Sequence, residues 1–223
     1  MEQPDQRSVP RHWRLTRLAP FLWVSGLLTL FWLGMELAMG KAEGHVAINQ
    51  WTSLSFDPLF LAVTRVGEGW IFGIGFIYFL FHSFRDAASV ALCGLLVLFG
   101  SALLKHYVFP DALRPLAFFE DDRLRLVDGL RMHRFHSFPS GHALASLASL
   151  SIVSLCMNKR IFGWTLAILA LLAAFSRVYL SQHFMEDIVA GAWIGCLFSY
   201  LTWRWSRRWR APFWNGKLRS AKK

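Results

Sequence analysis

The chain has 223 residues, 55% of them hydrophobic and only 17% charged, with a mean hydropathy of +0.37; this composition points to the bilayer and away from a soluble domain. The formal charge is +10, yet the basic residues sit at the two ends beside apolar runs, where membrane proteins keep cytoplasmic anchors, and this argues against nucleic-acid binding. Cys93, Cys156 and Cys196 fall inside apolar runs without metal-like spacing and read as small buried hydrophobes, with no disulfide framework.

In chain order, the first apolar run, 20–39, follows Arg7, Arg11, Arg14 and Arg17. It is longer than a signal-peptide core and reads as an uncleaved membrane span. Residues 49–68 are mixed, carry Asp57-Pro58 and Arg65, and read as a loop with a short interfacial helix. A short second span is expected over 69–84, a tight turn at Arg85-Asp86, and a third span over 87–107. A polar loop, 108–139, holds five of the 14 acidic residues, including the run at 120–122, which reads as solvated. The fourth span is 140–157, the next turn 158–160, the fifth span 161–180 and the sixth 184–203, followed by a basic tail.

The expected fold is therefore all-α and integral to the membrane, six transmembrane helices with an extracytoplasmic loop between the third and fourth. Its domains are a basic segment 1–19, a six-helix membrane domain 20–205 and a basic tail 206–223. With a cytoplasmic amino terminus, Arg85, Lys159, Arg160 and the tail join the four leading arginines on the inner side. The positive-inside rule then places both termini in the cytoplasm.

That topology gathers three distant clusters on the outer face. The first is Lys105 with Arg114-Pro115, the second Pro139-Ser140-Gly141-His142, and the third Ser176-Arg177 with His183 and Asp187. A phosphate dianion needs several cations, and Lys105, Arg114 and Arg177 supply three, the arginines with a planar fork that matches phosphate oxygens. Ser140 and Gly141 open a helix, where free N–H groups and the dipole favour an anion. His183 and Asp187, four residues apart, share a helical face, so the carboxylate can fix one ring nitrogen and leave the other to attack phosphorus. His142 can protonate the leaving oxygen and then activate water.

Ser-Arg, five residues, His183, three residues, Asp187 resembles the third signature of the type 2 phosphatidic acid phosphatase family, and Pro139-Ser140-Gly141-His142 resembles its second. Lys105 and Arg114-Pro115 resemble the first, with an eight-residue spacing longer than the family's usual one. The resemblance implies a histidine nucleophile (His183), a phosphohistidine intermediate, no metal or other cofactor, and a site at the outer membrane–water boundary. The expected substrate is a phosphorylated membrane lipid: undecaprenyl pyrophosphate, phosphatidic acid, phosphatidylglycerol phosphate or a lipid A. Arg131, His133, Arg134 and His136 add positive charge before the second cluster and read either as headgroup contacts or as a solvated loop. Arg123 or Arg125 can share the role of Arg114. A zinc site at His142, His183 and Asp187, a phosphotransferase using the same histidine and an anion transporter remain open at this stage.

Overall fold

A computed structural model describes residues 11–119, 123–157 and 161–218. The acidic run 120–122, the turn 158–160 and the chain's two ends lie outside the described residues. Among the described residues every regular element is a helix, without a strand. Eight α-helices follow in order: α1 Arg11–Gln50, α2 Asp57–Val63, α3 Trp70–Leu80, α4 Phe84–Leu103, α5 Pro115–Phe118, α6 Gly141–Cys156, α7 Ile161–Tyr179 and α8 Met185–Ser206.

α6 is the centre of the molecule. It is packed chiefly against α8 and α7, with α4 and α1 on its remaining sides. Its apolar residues Ala143, Leu144, Leu147, Ala148 and Ile152 are buried, and so are the serines between them. The serines are tolerated because each finds a partner: Ser146 donates to the carbonyls of Ala143 and Ala170, and Ser151 reaches Ser199 Oγ at 2.6 Å.

The approach of α8 to α6 depends on two glycines. A Cβ on Gly191 would stand 2.6 Å from the Ser140 carbonyl oxygen, and one on Gly195 would stand 2.6 Å from that of Leu144. Small residues four apart let two helix backbones touch, as in membrane helix pairs generally.

Three helical stretches are long and apolar enough to cross a membrane: Thr16–Gln50, Phe84–Val108 and Phe162–Tyr179. Their outward residues are bare apolar groups such as Trp23, Leu30, Leu98 and Phe99. The chain is thus an integral membrane protein. α2 with the 3₁₀ turn Thr64–Gly67 makes a fourth candidate together with α3, bent by 55° between them. α6 is about 24 Å long at 1.5 Å per residue, shorter than the hydrocarbon core. α8 carries Glu186, Asp187 and Arg204. Length and apolarity alone therefore support three or four spans of the six expected.

Several boundaries differ from the sequence expectation. The first helix does not stop at 39 but resumes after a break at Gly40, whose φ of 75° only glycine adopts readily. The segment 49–68 holds two helical pieces rather than one. Arg85 and Asp86 are not a turn: Ser83 caps α4 by accepting the Asp86 N–H, so both lie in its first turn. Asp86 then pairs with Arg207. The described part of the basic tail returns to this corner, the Phe84 N–H donating to the Gly216 carbonyl.

The glycine contact generates a test. Gly195→Ala forces a methyl into the Leu144 carbonyl and is expected to cost about 1–3 kcal/mol, read as a lower apparent Tm in detergent. Gly73→Ala, where nothing lies within 4 Å, is expected to cause no such loss.

Candidate active site

The amino ends of α6 and α8 meet, and the Ser140 N–H donates to the Asp187 carbonyl at 3.0 Å. The same residue's side chain is the hub of the site. Asp187 Oδ2 accepts from His183 Nδ1 at 3.3 Å, from Ser137 Oγ at 2.5 Å and from the Phe184 N–H at 2.9 Å. An ionised carboxylate only accepts, so Nδ1 carries the imidazole proton. Ser137 Oγ, also 3.3 Å from Nδ1, has given its hydrogen to Asp187 and can only accept there. His183 Nε2 has no hydrogen bond among the described residues. His183, Asp187 and Ser137 are all buried.

Around this triad stand the three expected cations. Lys105 lies in a π turn, Leu104–Val108, that extends α4. A Cβ on Gly141 would be 3.5 Å from its Nζ, so the ammonium sits over the first residue of α6. Arg114, buried at the head of α5, donates from Nε to the Phe135 carbonyl at 3.0 Å and from one terminal nitrogen to the Gln182 carbonyl and Oε1 at 3.2 and 3.3 Å. Burial pulls its guanidinium below the ordinary value, and the charge of Asp187 opposes that. Arg177, near the end of α7, donates to Thr64 Oγ1 at 2.9 Å. His142, in the first turn of α6, is within electrostatic range of Arg177, His183, Lys105 and Arg114. The structure thus brings together His142, His183, Asp187, Lys105, Arg114, Ser140, Gly141 and Arg177.

The charged loop behaves differently. Its contribution to the site is largely backbone: the carbonyls of Arg131, Arg134 and Phe135 hold Gln182 and Arg114. The side chains of Arg131, His133 and Arg134 are exposed. His133 nonetheless feels the site, since burial first and then Arg114, Arg131, Arg177 and Lys105 lower its pKa. His136 Nδ1 lies 3.1 Å from the Lys105 carbonyl, with its ring 4.6 Å from that of His106. Arg123 and Arg125 do not share the role of Arg114. Arg125 forms a bidentate pair with Asp57 at 3.0 and 2.5 Å, and Arg123 pairs with Glu43 at 3.4 Å. Asp187 does not pair with Arg177.

Sequence reasoning missed Ser137, Gln182 and Thr64. Ser137 stands two residues before Pro139 and Gln182 directly before His183, so proximity to the motifs was an available signal for both. Thr64 had none. Missed too were His45 and Asn49 of α1. They reach Ser181 Oγ at 3.4 and 3.0 Å and so brace the turn that presents His183. Ser181 itself has φ 50°.

Burial, reinforced by Arg114, Lys105 and Arg177, holds the His183 imidazole well below its ordinary 6.5. The folded protein keeps it neutral while the unfolded chain takes up a proton below about 6.5. Stability present above that pH is therefore lost as pH falls from there toward the lowered folded value. The apparent Tm in detergent is expected to drop below about pH 6.5, and His183→Gln to show a shallower drop; equal slopes would remove His183 as a contributor.

Residues 86–211 match the family described as the PAP2 superfamily. The chain is 37% identical over 70 residues to undecaprenyl-diphosphatase BcrC of Bacillus subtilis (strain 168), covering 31% of this chain and 35% of that one. It is 25% identical over 156 residues to the lipid A 4'-phosphatase of Porphyromonas gingivalis, covering 66% and 65%. The chain thus spans roughly one third to two thirds of the length of these relatives. In fold it is similar to the crystal structure of Aquifex aeolicus LpxE, with a TM-score of 0.63 and 23% identity over 73% of this chain and 93% of that one. The match spans more than half of the chain and holds Pro139–His142, His183 and Asp187, so this chain belongs to the PAP2 superfamily.

Proposed function

We propose that this protein is an integral-membrane lipid phosphatase that hydrolyses a lipid phosphomonoester or pyrophosphate by two phosphoryl transfers through His183. The observation that carries the reading is the His183–Asp187 contact within a ring of Lys105, Arg114 and Arg177. With Nδ1 bound to Asp187, the lone pair of Nε2 is the free nucleophile. It attacks phosphorus; the P–N bond forms as the bond to the lipid oxygen breaks, and His142, entering the step protonated beside the bound phosphate dianion that offsets the surrounding cations, gives that oxygen a proton. Water then attacks the phosphohistidine, His142 taking its proton, and inorganic phosphate leaves.

The cations act on the charge spread over the equatorial oxygens of the transferring group. The N–H groups at the start of α6, beside Ser140 and Gly141, add to this field. A neutral His183 supports the reading, because a protonated imidazole has no lone pair to give. No step calls on a cofactor or a metal ion.

Six spans, with α6 and α8 completing the set inside the protein, fit this reading, as do cytoplasmic termini and a site open to the extracytoplasmic face. A short, serine-bearing α6 is compatible with a span whose polar groups are satisfied by neighbouring helices. Substrates in the proposed class are undecaprenyl pyrophosphate, phosphatidic acid, phosphatidylglycerol phosphate and lipid A. The relatives named for an undecaprenyl diphosphate and a lipid A phosphate support the class. Arg131, His133, Arg134 and His136 are proposed as contacts to the rest of the headgroup.

Purified protein is expected to release inorganic phosphate from a lipid phosphate in the presence of EDTA, with inhibition by vanadate. His183→Ala is expected to lose at least about 10³-fold in kcat. Full activity in that variant would overturn the nucleophile assignment. Phosphate appearing on an added acceptor lipid instead of in solution would identify a phosphotransferase.

A further inference from the structure

The 3₁₀ turn Thr64–Gly67 precedes the family match, which begins at residue 86, and carries no motif, yet it touches two residues of the site. Thr64 is buried, and its Oγ1 accepts from the Arg177 guanidinium at 2.9 Å. This is the one hydrogen bond from that guanidinium among the described residues, and Arg177 Nε is buried without a partner. Glu68, the residue after the turn, is within electrostatic range of the same guanidinium. At the other end of the turn, Gly67 lies against His142. A Cβ there would stand 2.8 Å from His142 Cβ and 2.9 Å from the His142 carbonyl oxygen.

We propose that this turn is a positioning element of the active site: Thr64 aims the Arg177 guanidinium at the phosphoryl oxygens, and Gly67 sets the seat of His142. The inference rests on the phosphatase reading above. A guanidinium with five donors and one protein partner has the rest of its fork available for an anion. A single bond from Thr64 at one terminal nitrogen fixes the plane of that fork, and misplacement by about 1 Å at such a group can cost about 10²-fold in rate. At Gly67 the clash would involve the His142 backbone and Cβ, which no rotamer change relieves. Any side chain there must push the first turn of α6 away, and with it the proton donor for the leaving oxygen. The turn ends the first arm of the α2–α3 pair, which bends by 55° beyond it.

The test uses full-length protein in detergent with three variants. Thr64→Val keeps the shape and removes the hydroxyl; it is expected to lose about 10- to 100-fold in kcat/KM, with weakened vanadate affinity in parallel. Thr64→Ser restores the hydroxyl and is expected to recover most of both. A merely structural role would lower the folded fraction but leave vanadate affinity in that fraction unchanged. Gly67→Ala is expected to lose more activity on a lipid phosphate, whose alkoxide needs a proton, than on p-nitrophenyl phosphate, whose phenolate leaves without one.

Wild-type vanadate affinity in Thr64→Val overturns the Arg177 half of the proposal. Equal losses of Gly67→Ala on both substrates overturn the His142 half. If Gly67→Ala fails to fold, the proposal stands on its Arg177 half, which the Thr64 pair decides. Wild-type protein that releases no phosphate would instead sink the phosphatase reading itself.

Discussion

The placement of the site rests on how closely α8 can lie against α6. Gly191 and Gly195 offer no side chain to the carbonyls of Ser140 and Leu144, so the two backbones come into contact. That approach lets the Ser140 N–H bind the Asp187 carbonyl. His142 hangs from the first turn of one helix, and Asp187 from the first turn of the other. A bulkier residue at either glycine would separate the two imidazoles while leaving each helix intact. The register of this pair, together with the braced turn before α8, joins the second and third motifs.

Around that joint the molecule concentrates positive charge where burial would ordinarily forbid it. Arg114 is made tolerable by three neutral oxygens from Phe135 and Gln182, and Arg177 by Thr64. Neutral partners satisfy donors without cancelling charge, so the field stays available for an anion. Three carboxylates are engaged elsewhere, Asp57 with Arg125, Glu43 with Arg123, and Glu186 with Lys41, while Glu68 lies within electrostatic range of Arg177. Asp187 does enter the field, but its oxygen is shared among His183, Ser137 and the Phe184 N–H.

The helical class and the eight converging residues were legible in the sequence because each rests on local rules. Apolar length marks spans such as that of α4, and Ser140 caps the helix that follows it; His183 does meet Asp187, but from the turn before the α8 N-cap Phe184 instead of from the shared helical face that the four-residue spacing suggested. What the sequence hid depends on distance. The Gly40 break looked like a span's end because chain continuation past a glycine leaves no compositional mark. The 49–68 segment looked amphipathic because its polar residues serve partners far along the chain: Thr64 serves Arg177, and Asp57 serves Arg125 and Tyr179. The Gly-x-x-x-Gly spacing at 191–195 is a sequence sign of the close helix contact that the structure shows there. Arg131 and Arg134 drew attention by charge, whereas the loop engages the site with its carbonyls, which no residue type announces.

The bond from His183 Nδ1 to Asp187 has one more chemical consequence. Imidazole can be phosphorylated on either nitrogen, and the two products are distinct regioisomers with different acid lability and different spectra. Here one nitrogen is committed to a carboxylate inside the protein, so under the proposed mechanism the adduct would form as a single isomer, on the ring atom farther from the backbone. The carboxylate would then select the site of bond formation as well as the tautomer.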